Sequence, residues 1–136
     1  MPRRFLLDTN VLSHAIREPG PLARKISDVG EDRVCTSIVV ACELRFGARK
    51  KSSDVLSARV DELLETLEVL PLDGQVDRVY AEVRDLLEKS GLPIGGNDYL
   101  IAAHALAEDC VLVTDNVSEF RRVPRLKIDN WLPVTK

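Results

Sequence analysis

Short apolar runs alternate with longer stretches of helical periodicity along this chain. Phe5-Leu6-Leu7 is a continuous apolar run that stops at Asp8, the pattern of a strand buried on both faces. Val11, Leu12, Ala15 and Ile16 then recur at helical spacing. Pro19-Gly20-Pro21 reads as a break, with a second helix over 21–29. Residues 33–36 read as a second strand, and Ser37 is placed to cap a helix over 38–46. Ser52 and Ser53 open a further helix whose apolar positions run to Leu67, with Asp61, Glu62, Glu65 and Glu68 on its solvated side. Residues 69–72 predict a third strand with Pro71 at its end or on an edge, and Asp73 is a candidate cap for a helix over 76–87. The helix over 97–108 is apolar on almost every side, so it should be covered on all of them. Residues 111–114 and 126–128 predict two more strands, with a short turn over 118–120 between them and Trp131 just beyond.

Strand–helix alternation of this kind predicts a three-layer α/β/α sandwich around a central parallel sheet. The 136 residues suit a single domain, 1–136, with one core. Apolar residues make up 45% and charged residues 30%, which argues against disorder. No apolar run approaches bilayer length, and Asp8 arrives too soon for a signal peptide, so the expectation is a cytoplasmic protein without a membrane partner. Cys35, Cys42 and Cys110 form no metal-ligand spacing and are expected to be small buried residues.

Charge adds an asymmetry that the net −3 hides. Residues 1–51 carry ten Lys/Arg against six Asp/Glu, residues 52–113 four against thirteen, and residues 114–136 five against three. A basic surplus therefore lies in the two segments that also hold most candidate acids, and local potential can steer a polyanion.

Four acids stand out. Asp8 and Asp115 each follow an apolar strand, and in a parallel sheet both project from the carboxyl-terminal edge, where ligands bind. Asp98 opens the apolar helix, where the helix dipole favours negative charge. Glu43 interrupts an apolar helical face, with Gly47 one turn later leaving open space beside it. Each has a structural alternative: Asp8 and Asp98 as helix-start acids, Asp115 as a turn former supported by Asn116. Glu43 is the hardest to account for in that way. Four converging carboxylates would repel one another unless a hard divalent cation such as Mg²⁺ neutralised them, and such an ion can activate water against a phosphodiester. His104 falls off the Asp98 face and reads as a packing residue, and His14, four residues from Asn10, reads as surface, with a place at the site rim as the alternative. The chain carries no GxSxG, P-loop or GxGxxG.

Leu7-Asp8-Thr9-Asn10, Ala41-Cys42-Glu43-Leu44 with Gly47, Ile94-Gly95-Gly96-Asn97-Asp98 with Ile101 to Ala105, and Leu112-Val113-Thr114-Asp115-Asn116 together resemble the ordered motifs of PIN-domain ribonucleases. Glu119-Phe120, Val123-Pro124, Leu126 and Trp131 are similar to the VapC/FitB branch of toxin–antitoxin toxins. The resemblance spans nearly the whole chain. It implies a metal-dependent endoribonuclease that hydrolyses a tRNA or other structured RNA and inhibits translation until neutralised. It carries over Asp8, Glu43 and Asp98 as metal-binding acids for Mg²⁺ or Mn²⁺. At the fourth position Asn116 holds the family's register, with Asp115 as its neighbour and a candidate ligand. Thr9 and Thr114 are implied as supporting hydroxyls. The implied partners are a VapB/FitA-like antitoxin, a second copy of the chain, and operator DNA reached through the antitoxin. Arg3, Arg4, Arg45, Arg49, Lys50, Lys51, Arg121, Arg122 and Arg125 are candidate phosphate contacts. Two rival readings are an aspartate-nucleophile phosphotransferase, which lacks the usual second acid at Asn10, and a catalytically silent RNA- or protein-binding module.

Overall fold

The structure, a computed structural model, describes residues 3–132, so both ends of the expected 1–136 domain lie outside it. Five strands form one parallel sheet: β1 Phe5–Leu7, β2 Val34–Ser37, β3 Glu68–Leu70, β4 Val111–Val113 and β5 Ile128–Asp129. Their spatial order is β3-β2-β1-β4-β5. The helices are α1 Thr9–Arg17, α2 Pro19–Val29, α3 Ile38–Lys50, α4 Asp54–Glu65, α5 Val76–Lys89, α6 Gly96–Ala107 and α7 Val117–Phe120. The chain steps outward from β1 through β2 to β3 and then returns to β4 on the other side of β1. With the right-handed crossovers that parallel sheets adopt, α1–α4 cover one face and the returning α5 and α6 the other, the three-layer α/β/α sandwich. β1 is central, with β2 on one side and β4 on the other, so the sheet's switch point lies between β1 and β4. In open α/β sheets the carboxyl edge at such a point is a crevice.

Burial follows the strand patterns. Leu6, Leu7, Cys35 and Leu112 are fully buried, while the edge strands β3 and β5 are only partly covered. α6 packs against α5, α3 and β4, which is why it is apolar on nearly every side; Tyr99, Ile101, Ala102, Ala103, His104 and Ala105 are all buried. Phe120 from α7 closes the core beneath β4 and β5.

Local signals decide most element ends. The Ser37 Oγ accepts from the Val39 N–H at 3.1 Å and caps α3 while Ser37 itself ends β2. The Ser53 Oγ accepts from the Leu56 N–H at 3.1 Å and caps α4. Pro71 lies just past edge strand β3, where its missing N–H leaves no ladder bond unmade.

Several expectations are corrected. The break falls at Glu18, between α1 and α2, and α2 begins at Pro19 rather than at 21, because proline is tolerated in a first helical turn. Asp73 does not cap α5; Gln75 precedes it, and Asp73 contributes only a backbone carbonyl to the Val76 N–H. Glu68 belongs to β3, not to the acidic face of α4, and pairs with Arg4. Cys35 and Cys110 are buried, but Cys42 is exposed because it faces away from the sheet on α3. Among the described residues no helix is long and apolar enough to cross a membrane.

Candidate active site

The carboxyl edge of β1 and β4 opens into a cleft of about 880 Å³. Asp8, Glu43, Asp98 and Asp115 all line it, together with Asn10, Asn116 and residues of α1. The fold thus gathers four acids from segments that lie far apart in the chain.

Asp8 is buried at the end of β1, with its N–H bonded to the Val113 carbonyl at 2.9 Å. Its carboxylate is held on both sides. Oδ1 accepts from the Thr9 N–H at 2.8 Å, and Oδ2 accepts from the Thr114 hydroxyl at 2.7 Å and the Asn10 amide at 3.3 Å. Burial raises the Asp8 carboxyl above its ordinary value, the Thr114 and Thr9 bonds pull it back, and the charges on Glu43 and Asp115 push it up again. These bonds also make Asp8 the cap of α1, so its two readings coincide in one side chain.

Glu43 projects from α3 and is half-buried. Its Oε1 accepts from the Thr9 hydroxyl at 2.5 Å and its Oε2 from the Asn97 amide at 3.4 Å. The space expected beside it exists: a Cβ at Gly47 would meet nothing, and Gly47 and Glu43 line the same adjoining cavity.

Asp98 sits in the first turn of α6. No N–H or hydroxyl of the described residues donates to it, and the groups that face it are carboxylates. Burial, the adjoining Glu119 carboxyl and the charges of Asp8 and Glu43 together push Asp98 up to about 7. The chain reaches this position through Gly95, where an added Cβ would lie 3.2 Å from Asp98 Oδ2. A side chain there would press on the carboxylate.

The turn after β4 divides its work. Asp115 is exposed at the cleft wall, and its N–H donates to Asn10 Oδ1 at 3.2 Å. Asn116 donates its backbone N–H to the Thr114 hydroxyl at 3.0 Å and its side-chain amide to Glu119 Oε2 at 2.6 Å. Asn116 therefore orients Glu119, which stands behind Asp98.

The chain matches the PIN domain family over residues 5–126. It belongs to that family. Ribonuclease VapC2 of Rickettsia felis is 36% identical over 130 residues, covering 93% of this chain and 97% of that protein. The tRNA(fMet)-specific endonuclease VapC of Salmonella typhimurium is 33% identical over 129 residues, covering 94% and 98%. Among solved structures, VapBC2 from Rickettsia felis bound to a DNA fragment from its promoter aligns with a TM-score of 0.85 at 35% identity, covering 93% of this chain and 98% of that one. The chain is thus a PIN domain of the VapC type.

The roles of three residues in or behind this PIN domain's cleft escape a reading of the sequence. Asn10 ties together Asp8, Thr114 (3.4 Å) and the Asp115 N–H, so it organises the turn and leaves position 10 without the second acid of a phosphotransferase. Glu119 stands behind Asp98; the sequence marked it only as part of the Glu119-Phe120 resemblance, and its spacing from Asn116, one turn apart, also fits an ordinary helix start. Arg17 lines the cleft two turns beyond Asn10 on α1. His14 lines it too, with its side chain 23% exposed and Nε2 3.9 Å from Glu18, the rim placement and not the plain surface one. His104 bonds Ser37 Oγ at 2.7 Å inside the core, and burial lowers its pKa, as suits a packing residue. Of the expected phosphate contacts, Arg3, Arg4 and Arg45 are paired with Asp109, Glu68 and Asp61, and Arg122 donates to the Pro93 carbonyl.

The donor set suits a hard cation. Carboxylate and amide oxygens dominate it, and the one imidazole lining the cleft, His14, lies 3.9 Å from Glu18 on α1. Among the described residues no three acidic, histidine or cysteine side chains form a ready ligand group. Mg²⁺ does not require one, since it binds through one or two carboxylates and keeps several waters.

Proposed function

We propose that this PIN domain is a divalent-metal-dependent endoribonuclease and the toxin of a type II toxin–antitoxin pair. The observation that carries the reading is Asp98: a half-buried carboxylate, without a donor, facing Asp8, Glu43 and Glu119. A group of this kind is built to hold positive charge and is costly without it.

Asp8 and Asp98 would hold Mg²⁺ (or Mn²⁺), with Glu43 reaching it directly or through water and Asp115 on the outer wall. A bound divalent cation supplies Lewis-acid charge against the phosphodiester under attack and acidifies the attacking water. The chain's own residues do the rest. Thr114 and Thr9 fix the rotamers of Asp8 and Glu43, so neither carboxylate must reorganise during the reaction. Asn10 locks the β1 and β4 turns together.

The substrate class is RNA, with tRNA first, because a relative of nearly equal length carries the name tRNA(fMet)-specific endonuclease. The partners are a VapB/FitA-like antitoxin, a second copy of the chain, and operator DNA bound through the antitoxin. Solved VapBC relatives bound to DNA, one of them to a promoter fragment, support the antitoxin and the DNA in that assembly. Its place of action is the cytoplasm, where such RNA is found.

Induced expression tests this reading. Wild type should arrest growth and leave discrete cuts in recovered RNA, while Asp8→Ala and Asp98→Asn should do neither. Equal growth and intact RNA in all three cultures would overturn the assignment. A short neighbouring gene encoding a DNA-binding protein that rescues growth would identify the antitoxin.

A further inference from the structure

Resting on the ribonuclease reading, we infer that Arg17 binds an RNA backbone phosphate and so positions the strand along α1. Asn10, Ser13, His14 and Arg17 are spaced three, four and seven residues apart on α1, and all four line the cleft. One face of this helix therefore leads from the carboxylates outward, with Arg17 about 10 Å along the axis from Asn10. That separation keeps Arg17 off the attacked phosphate and places it against another one on the same strand.

Charge makes such a residue necessary. The cleft carries four carboxylates, and a polyanion that enters it needs positive charge on the protein as well as at the metal. Among the described residues lining the cleft, Arg17 alone has a permanent positive charge. Its guanidinium forms no ion pair among the described residues, whereas Arg3, Arg4, Arg45 and Arg84 each face a carboxylate. The side chain is exposed, and its planar fork is free for a two-pronged phosphate contact. A purely structural role would be to complement the carboxyl-terminal dipole of α1, which lysine would do equally well.

The test compares the purified full chain with Arg17→Gln and Arg17→Lys on a labelled tRNA in Mg²⁺ over a range of salt. Arg17→Gln should raise KM about ten-fold with kcat within about two-fold, the loss of one charge-assisted bond. The slope of log(kcat/KM) against log salt should shrink by about 0.7, one single-strand phosphate contact. Arg17→Lys should keep the salt slope and recover only part of KM. A second arm measures binding of the same tRNA with metal withheld, where Arg17→Gln should bind about ten-fold more weakly. Equal binding and an unchanged slope overturn the inference, as does a variant whose sole defect is antitoxin capture. If wild type fails to cut but the binding arm separates the proteins, the ribonuclease reading fails and Arg17's phosphate contact stands.

Discussion

Replacing Asp98 by Asn should stabilise the metal-free protein, and only at neutral to alkaline pH. In the folded chain its carboxyl sits at about 7 against an ordinary 3.8. A shift of that size corresponds to at most about 4 kcal/mol of opposition to folding once the group is ionised. Asp98 is only about half-buried, so solvent screening reduces this to about 1–2 kcal/mol. The direction follows from linkage. A carboxyl raised by folding contributes its full stability below about pH 4 and loses it as pH rises through about 7. Asn keeps the shape and removes the repulsion from Glu119, Asp8 and Glu43. It also gives up a favourable charge in the first turn of α6, a loss of about 0.3–1 kcal/mol. The net gain at pH 8 should be about 1 kcal/mol, or about 3–5 °C in Tm for a chain of this size. Thermal unfolding in chelator at pH 5 and pH 8 measures it. The variant should melt higher than wild type at pH 8 and no higher at pH 5. A lower Tm at pH 8 would mean that Asp98 is a structural helix-start residue, and the argument from repulsion would be wrong.

Thr114→Val removes the hydroxyl that donates to Asp8 and accepts from the Asn116 N–H, so urea denaturation should show a loss of about 1–3 kcal/mol; an unchanged midpoint would show that these bonds carry no weight. Metal binding should release about one proton at pH 6 and less at pH 8, because Asp98 must ionise to act as a ligand. Calorimetry in buffers of different ionisation enthalpy reads this directly, and heats that do not depend on buffer would contradict it. Gly95→Val places carbon against Asp98 Oδ2 and should weaken metal binding on the order of ten-fold; full affinity in that variant would show that the close approach does not matter.

The layers of the fold were legible because buried parallel strands and a fully covered helix leave distinct apolar patterns, seen in Phe5 to Leu7 and in Ile101 to Ala105. The acids were legible because Asp8 and Glu43 interrupt those patterns. What escaped is set by geometry that no spacing reveals. Asn10 looks like a turn residue until β4 is brought beside β1. Glu119 looks like a helix-start acid until α7 folds it behind Asp98. Arg17 is one of many arginines until the α1 face turns toward the cleft. Asp115 and Asn116 both follow β4 and both line the cleft, and they differ in a way no spacing reveals: Asn116 spends its side-chain amide on Glu119, whereas Asp115 is exposed and joins Asn10 only through its N–H.

The central claim is that carboxylates from distant segments gather a divalent ion to cut RNA. Its most direct test is cleavage of a labelled tRNA by purified, chelator-stripped protein as Mg²⁺ is added back, with Asp8→Asn as comparison. Wild type should be inert without metal and active with it, and the variant should lose at least about 100-fold at saturating Mg²⁺. Cleavage by the stripped wild type, or by Asp8→Asn at the wild-type rate, would contradict the account.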